Sequence, residues 1–145
     1  MWTHYAGNYS GICIEYYADR LRNGLPDSVS LVRLGYDERP PRLTKADLQN
    51  RQAAHKILSQ KKFNWSYERE WRLLGVPGKA KIDDQNCVRA VYFGSRIAPV
   101  YRNKLVKELK KRKISAYAMD VDGYGHVWQP LYQAPRNIKD EASEN

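Results

Sequence analysis

Ten residues, Trp65-Ser66-Tyr67-Glu68-Arg69-Glu70-Trp71-Arg72-Leu73-Leu74, restrict the fold more than any other stretch of this sequence. Their alternation predicts a strand over Tyr67 to Leu74. On a strand, Tyr67, Arg69, Trp71 and Leu73 point one way while Glu68, Glu70, Arg72 and Leu74 point the other. Same-face neighbours then stand roughly 6 to 7 Å apart. A row of three charges near the middle of a sheet is tolerated only if it is paired or open to water. Two readings follow from the row itself. It is a polar site on a rigid strand, with Arg72 holding one carboxylate and the other free to work, or it is a solvated face with ordinary cross-strand ion pairs.

The elements around it follow from periodicity and turn chemistry. Gly11 to Tyr17, with Ile12, Ile14 and Tyr16 on one face, reads as a strand, as do Ser28 to Tyr36, Val88 to Phe93 and Ile114 to Val121. Asp122-Gly123 is a turn signal, followed by a short partner strand through Leu131. Asp19 to Gly24 is a short helical or turn segment stopped by Pro26, Pro40-Pro41 marks a loop, and Asp83-Asp84-Gln85-Asn86 a turn. Two longer helices are expected. Thr44 to Lys61 opens on a Thr44/Asp47 capping box with Leu43 and Leu48 as a staple, and Leu48, Ala54, Ile57 and Leu58 form its apolar stripe. Pro99 to Arg112 carries proline at its first position and Tyr101, Leu105 and Leu109 on one face. Each helix has one stripe to bury. The prediction is therefore a single α+β domain over residues 1–133: a mostly antiparallel five- to six-stranded sheet packed by two main helices. Residues 134–145 read as a polar, disordered tail.

A chain of 145 residues with 42% hydrophobic content can bury a core without a disulfide or a metal. Cys13 and Cys87 lie far apart in apolar runs, which suits buried free thiols and a cytoplasmic protein. Asp120 and Asp122 lack the further ligands of a calcium loop, so no metal is expected. No apolar run approaches the roughly 18 residues of a membrane span, and the N-terminus does not read as a secretory signal. The net charge of +9 implies attraction to polyanions. Lys107, Lys110, Lys111 and Lys113 are the candidate phosphate contacts, though a solvated amphipathic helix explains the same residues. His4, set among Trp2 and Tyr5, is either a core histidine bonded to backbone or a ligand-contacting group. His55 reads as structural or exposed.

Trp2-Thr3-His4-Tyr5-Ala6, followed by Gly11-Ile12-Cys13-Ile14-Glu15-Tyr16, resembles the Trp-x-His-Tyr-Ala and Gly-x-Cys-Ile-x-Phe segment of the bacterial domain-of-unknown-function family 2971. Lys62, Trp65, Tyr67, Glu68, Glu70 and Arg72 resemble its second signature, a lysine followed by Trp-x-Tyr-Glu-x-Glu-x-Arg. Val91-Tyr92-Phe93-Gly94-Ser95-Arg96 is similar to the Ile-x-Phe-Gly-x-Arg strand end that follows. The resemblance spans residues 2–125. Family members carry a segment ahead of the first motif, with an Asn-Asp-Pro-Phe element, so this chain reads as an N-terminally short member. The resemblance implies a shared site of His4, Tyr5, Glu68, Glu70 and Arg72, with the first two within one side-chain length of the charged row.

Three function classes are open. A Glu-x-Glu strand is similar to the third motif of ADP-ribosyltransferases, in which one glutamate binds the nicotinamide ribose of NAD. That likeness implies Glu70 as the catalytic carboxylate and Glu68 as the group that positions the acceptor. His4, Tyr5, Arg72, Trp65 and Tyr67 would then bind a nucleotide or other anionic ligand. The second class is a basic module that holds nucleic acid or an acidic protein surface weakly and without sequence preference, its charged row being structural. The third is a small-molecule-binding or assembly protein in which the charged row is structural, with an open sheet edge or groove that a second copy could cover as a homo-oligomer.

Overall fold

The alternating residues of Ile12–Tyr16 and the apolar run Val88–Phe93 become strands, as their patterns predict, and the two pair with each other. A computed structural model describes residues 2–49, 52–75, 77–79, 81–82, 86–123 and 125–135. The first half holds strand β1 (Ile12–Tyr16), helix α1 (Ala18–Asn23), β2 (Val29–Arg33), β3 (Gly35–Asp37), α2 (Lys45–Gln49), α3 (Ala53–Leu58) and β4 (Gln60–Lys62). A 3-10 helix (Phe63–Glu68) then leads to β5 (Trp71–Gly75), β6 (Val88–Phe93), α4 (Pro99–Lys111), β7 (Ser115–Asp122) and β8 (Gly125–Tyr132). The chain is α+β, and it divides into two compact units: Met1–Arg20 with Gln85–Asn145, and Leu21–Asp84.

The first unit is built on a mixed sheet of order β1-β6-β7-β8. β6 runs antiparallel to β1 and parallel to β7, and β7 turns back antiparallel into β8. The parallel step needs a crossover, and α4 supplies it. Val91, Phe93 and Ala116 form the buried centre, with Val106 and Leu109 of α4 and the flanking Ile97 and Ile114 packed against them. Those two isoleucines tie both ends of the helix into the core and set its roll. Consequently the expected stripe is corrected: Leu109 packs, but Tyr101 is 66% and Leu105 39% exposed. Residues next to Val91 and Phe93 face the other way. There Tyr92 stacks on Tyr117 at 5.2 Å and meets Trp128 edge-on at 4.9 Å, and Trp2 lies 5.7 Å from Trp128. Just past β6, a Cβ on Gly94 would sit 2.2 Å from the Tyr9 carbonyl oxygen, so only glycine fits. Cys13 is half-buried and Cys87 buried, both as free thiols.

The second unit corrects the expected single sheet. It contains two separate two-stranded ladders, β2 with β5 antiparallel and β3 with β4 parallel. The predicted strand Ser28 to Tyr36 breaks at Leu34, which is 4% exposed. There the chain changes partners: the Leu34 N–H donates to the Glu70 carbonyl at 3.0 Å, and the Gly35 N–H to the Ser59 carbonyl at 2.9 Å. The predicted helix Thr44 to Lys61 is instead α2, α3 and β4, with Asn50 and Arg51 outside the described residues. Its capping box forms, the Thr44 N–H donating to Asp47 at 2.6 Å and the Asp47 N–H to Thr44 at 3.2 Å. Asp47 also holds the Lys56 ammonium at 3.0 Å. Nine residues along one continuous helix would separate them by about 13.5 Å, so this ion pair requires a bend. Leu48, Ile57 and Leu58 are 64%, 48% and 49% exposed, and a stripe that buries so little does not hold a long helix together. The two-main-helix expectation thus reduces to α4 on the larger sheet. Residues 83–85 of the expected turn and 136–145 of the expected tail lie outside the described residues. Among the described residues no helix is long and apolar enough to cross a membrane.

The roll of α4 is checked by two truncations followed through denaturant midpoints. Leu109→Ala is expected to destabilise by about 2 kcal/mol or more. Tyr101→Ala, on the exposed face, is expected to stay within about 0.5 kcal/mol.

Candidate functional site

The stretch that begins as a predicted strand is folded quite differently. Phe63–Glu68 is a 3-10 helix, Arg69 is left-handed at φ 48°, and β5 begins only at Trp71. The Arg69 N–H closes the turn on the Ser66 carbonyl at 3.3 Å. Glu68 and Glu70 therefore do not stand in a row with Arg72 on one strand face. Both carboxylates instead converge on one ammonium, the Lys61 Nζ, at 2.5 Å from Glu68 Oε2 and 3.1 Å from Glu70 Oε2. A left-handed non-glycine residue costs about 1–2 kcal/mol. Two charge-assisted hydrogen bonds at about 1.5–3 kcal/mol each are large enough to offset that cost.

The remaining partners come from β3, β5 and α3. Arg72 grips Glu70 with both sides of its fork, Nε to Oε1 at 2.6 Å and Nη2 to Oε2 at 3.2 Å, and its Nη1 donates to the Leu58 carbonyl at 2.9 Å. Tyr36 lies beside Lys61 in the β3–β4 ladder, and its hydroxyl accepts the Glu70 N–H at 2.8 Å. Neighbouring side chains of one small ladder thus fix both the backbone and the carboxylate of Glu70. The guanidinium of Arg72, and secondarily Lys61, hold the Glu70 carboxyl below its ordinary value against the opposing effect of burial. The hydrogen bond that Lys61 donates to Glu68 raises the Lys61 ammonium above its ordinary value. Two cations and two carboxylates balance, and all four side chains are 13–31% exposed.

Aromatic rings border this network. The Lys61 ammonium lies 4.9 Å from the Trp65 ring centre, and Trp65 lies 6.1 Å from Tyr67 at 33°. Trp65 is 39% and Tyr67 67% exposed. A stacking surface and a hydrogen-bonding, charge-balanced cluster therefore occur side by side.

Of the site residues expected from sequence, Trp65, Tyr67, Glu68, Glu70 and Arg72 come together within the Leu21–Asp84 unit. His4 and Tyr5 belong to the other unit, in the turns preceding β1, where both are exposed. In that segment Trp2 and the buried Ala6 carry the packing. Lys107, Lys110, Lys111 and Lys113 are exposed on and just after α4. Lys111 pairs with Glu108 at 2.8 Å, and Lys110 lies 5.9 Å from the Tyr132 ring. Lys61 and Tyr36 were not anticipated. The sequence motif points to Lys62, which is exposed; alternation along β4 puts the two lysines on opposite faces, and β4 lies inside the helix expected from sequence. His55 is exposed. Among the described residues no group of three His, Cys, Asp or Glu side chains is placed to hold a metal ion.

Removing the shared cation should expose the balance. Lys61→Met leaves two carboxylates facing each other and is expected to lower stability by about 1–3 kcal/mol. Acid should act through Glu70. Its folded-state value is depressed, so its contribution is present above the ordinary value of 4.5 and is lost as the pH falls through the lower folded value. Glu70→Gln is expected to flatten that acid limb, measured by urea titrations on either side of pH 4.5.

Comparison with known proteins bears on the first half of the chain. Residues 1–73 match the family described as "Protein of unknown function (DUF2971)". The match takes in the Trp2–Ala6 motif and the whole Lys61–Arg72 network, and stops short of the Val91–Arg96 segment. No curated protein and no solved structure matches the chain. A match over half of the sequence, enclosing both motifs, makes this chain a member of the DUF2971 family.

Proposed function

We propose that the Lys61–Arg72 patch binds a nucleotide-class ligand, with the Trp65 and Tyr67 rings stacking on a planar base and the carboxylates accepting ribose hydroxyls. The observation that carries this reading is the exposed ring pair beside a charge-balanced Lys61–Glu68–Glu70–Arg72 network. A carboxylate offers about four acceptor positions, and Glu70 spends three on Lys61 and Arg72, which leaves one on Oε1. Its depressed pKa also assigns it a kind of chemistry. Glu70 stays ionised near neutral pH, so it is no proton donor. It is suited to hold a hydroxyl or to stabilise positive charge developing on a sugar, the role an ADP-ribosyltransferase-like reaction on NAD requires. Glu68 is then the group that positions the acceptor.

Thermal shift and tryptophan fluorescence with NAD and AMP test the reading. Trp65→Ala is expected to weaken binding about 10-fold or more, a loss near 1.4 kcal/mol. Glu70→Gln should retain most of the binding and lose NAD cleavage. Absence of any response to millimolar nucleotide by the unmodified chain would sink it.

A second reading rests on charge. From Pro99 to Lys113 there are seven Lys and Arg residues against one Glu, net +6 of the chain's +9. Lys107, Lys110, Lys111 and Lys113 face solvent, as contacts to a nucleic-acid backbone must. Such binding is weak, non-specific and salt-dependent. Changing these four lysines to Gln is expected to reduce the slope of log affinity against log salt by about 3. If the unmodified chain does not retain an oligonucleotide at low ionic strength, the helix is simply solvated.

A further inference from the structure

The unit formed by Met1–Arg20 and Gln85–Asn145 has an open cleft of its own, about 350 Å³, between the turn before β1, the exit of β6 and the β7–β8 hairpin. Tyr9, Ser95, Arg96, Val121 and His126 line it, together with two turn glycines. A guanidinium, an imidazole and a hydroxyl thus share one concavity. Among the described residues the Arg96 side chain makes no ion pair or hydrogen bond, and His126 makes only a ring contact with Tyr9, at 5.8 Å and 42°.

The backbone around the cleft is held under constraint. Gly7, Asn8 and Tyr9 are left-handed in succession, at φ 55°, 52° and 70°, although only the first is glycine. Non-glycine residues persist there only when their surroundings over-determine them. Here the surroundings are the exit of β6. The Tyr9 carbonyl accepts the Arg96 N–H at 2.9 Å and lies where a Gly94 Cβ would be, and the Gly94 N–H donates to the Gly11 carbonyl at 3.0 Å. The strained turn and the Ser95–Arg96 turn are therefore locked to each other, and the Tyr9 ring lies beside the His126 ring.

We infer that this cleft is an anion site for a phosphomonoester. Arg96 supplies charge-assisted hydrogen bonds, Ser95 a hydroxyl donor and His126 a ring N–H, while the Tyr9 ring flanks the organic part of the ligand. The inference is independent of the Lys61–Arg72 reading, because every residue it uses lies in the other unit.

The test is an amide and imidazole NMR titration of the full chain with inorganic phosphate and with AMP, at constant ionic strength against chloride. Shifts concentrated at Tyr9, Ser95, Arg96 and His126 are expected. Arg96→Gln should weaken phosphate binding about 10-fold or more, with Ser95→Ala as a milder variant of the same site. Changing Lys107, Lys110, Lys111 and Lys113 to Gln should leave that affinity within about two-fold, since no contact is shared. AMP binding more tightly than phosphate, with added shifts at Tyr9, assigns the ring its role; equal affinities remove that role and leave an inorganic-phosphate site. The proposal is overturned if phosphate moves none of the cleft resonances, or if the four-lysine variant loses as much affinity as Arg96→Gln.

Discussion

An ammonium between two carboxylates organises the Leu21–Asp84 unit. Lys61 holds Glu68 and Glu70 from the two sides of a sharp turn, and the left-handed Arg69, the 3-10 helix before it and the late start of β5 all belong to that turn. The same lysine sits beside Tyr36, whose hydroxyl accepts the Glu70 N–H, and the Leu34 N–H donates to the Glu70 carbonyl. Breaking the ion triad would therefore loosen contacts to β3, to the residue linking β2 and β3, and to β5 together. Coupled loss of this kind is what separates a network from three independent surface pairs, whose median contribution is near zero.

Local chemistry was legible in the sequence wherever a few neighbouring residues decide the outcome. The Thr44/Asp47 capping box, Pro99 at the start of α4, the Asp122-Gly123 turn and the apolar run of β6 all have short-range causes. What was hidden has long-range causes. Polar–apolar alternation around Glu68 and Glu70 has the period of a strand, but the chain there forms a turn that pairs Glu68 with a lysine seven residues upstream. Asp47 bends the expected long helix by holding Lys56, a pair invisible to any helical periodicity. Leu34 interrupts a Val- and Leu-rich run because two partner strands, rather than one, compete for its two sides. The choice between Lys61 and Lys62 needed the register of a strand not anticipated at all.

The other unit shows a different economy. One face of its sheet is closed by α4, and the opposite face is filled by rings instead of a second helix: Trp2, Trp128, Tyr92 and Tyr117 in sequence. Glu15 reaches across to the Tyr92 hydroxyl at 2.7 Å, and burial together with that bond pushes the phenol up to about 12. The tyrosine is thereby locked as a neutral donor, and the polar tips that an aromatic-rich sheet must satisfy are met by a carboxylate that itself pairs with Arg89 at 3.3 Å.

The connection between β1 and β6 carries one further implication. These strands are hydrogen-bonded neighbours, yet the whole Leu21–Asp84 unit is threaded between them in the chain. Pairing β1 with β6 means closing a loop of about 70 residues, and the entropy of closure grows only as the logarithm of length. Halving or doubling the intervening segment would alter it by about 0.6 kcal/mol. The sheet therefore imposes almost no length constraint on what it encloses. The enclosed unit is in that sense a cassette: a change in its length costs the closure of β1 on β6 little, so long as its two ends stay close together.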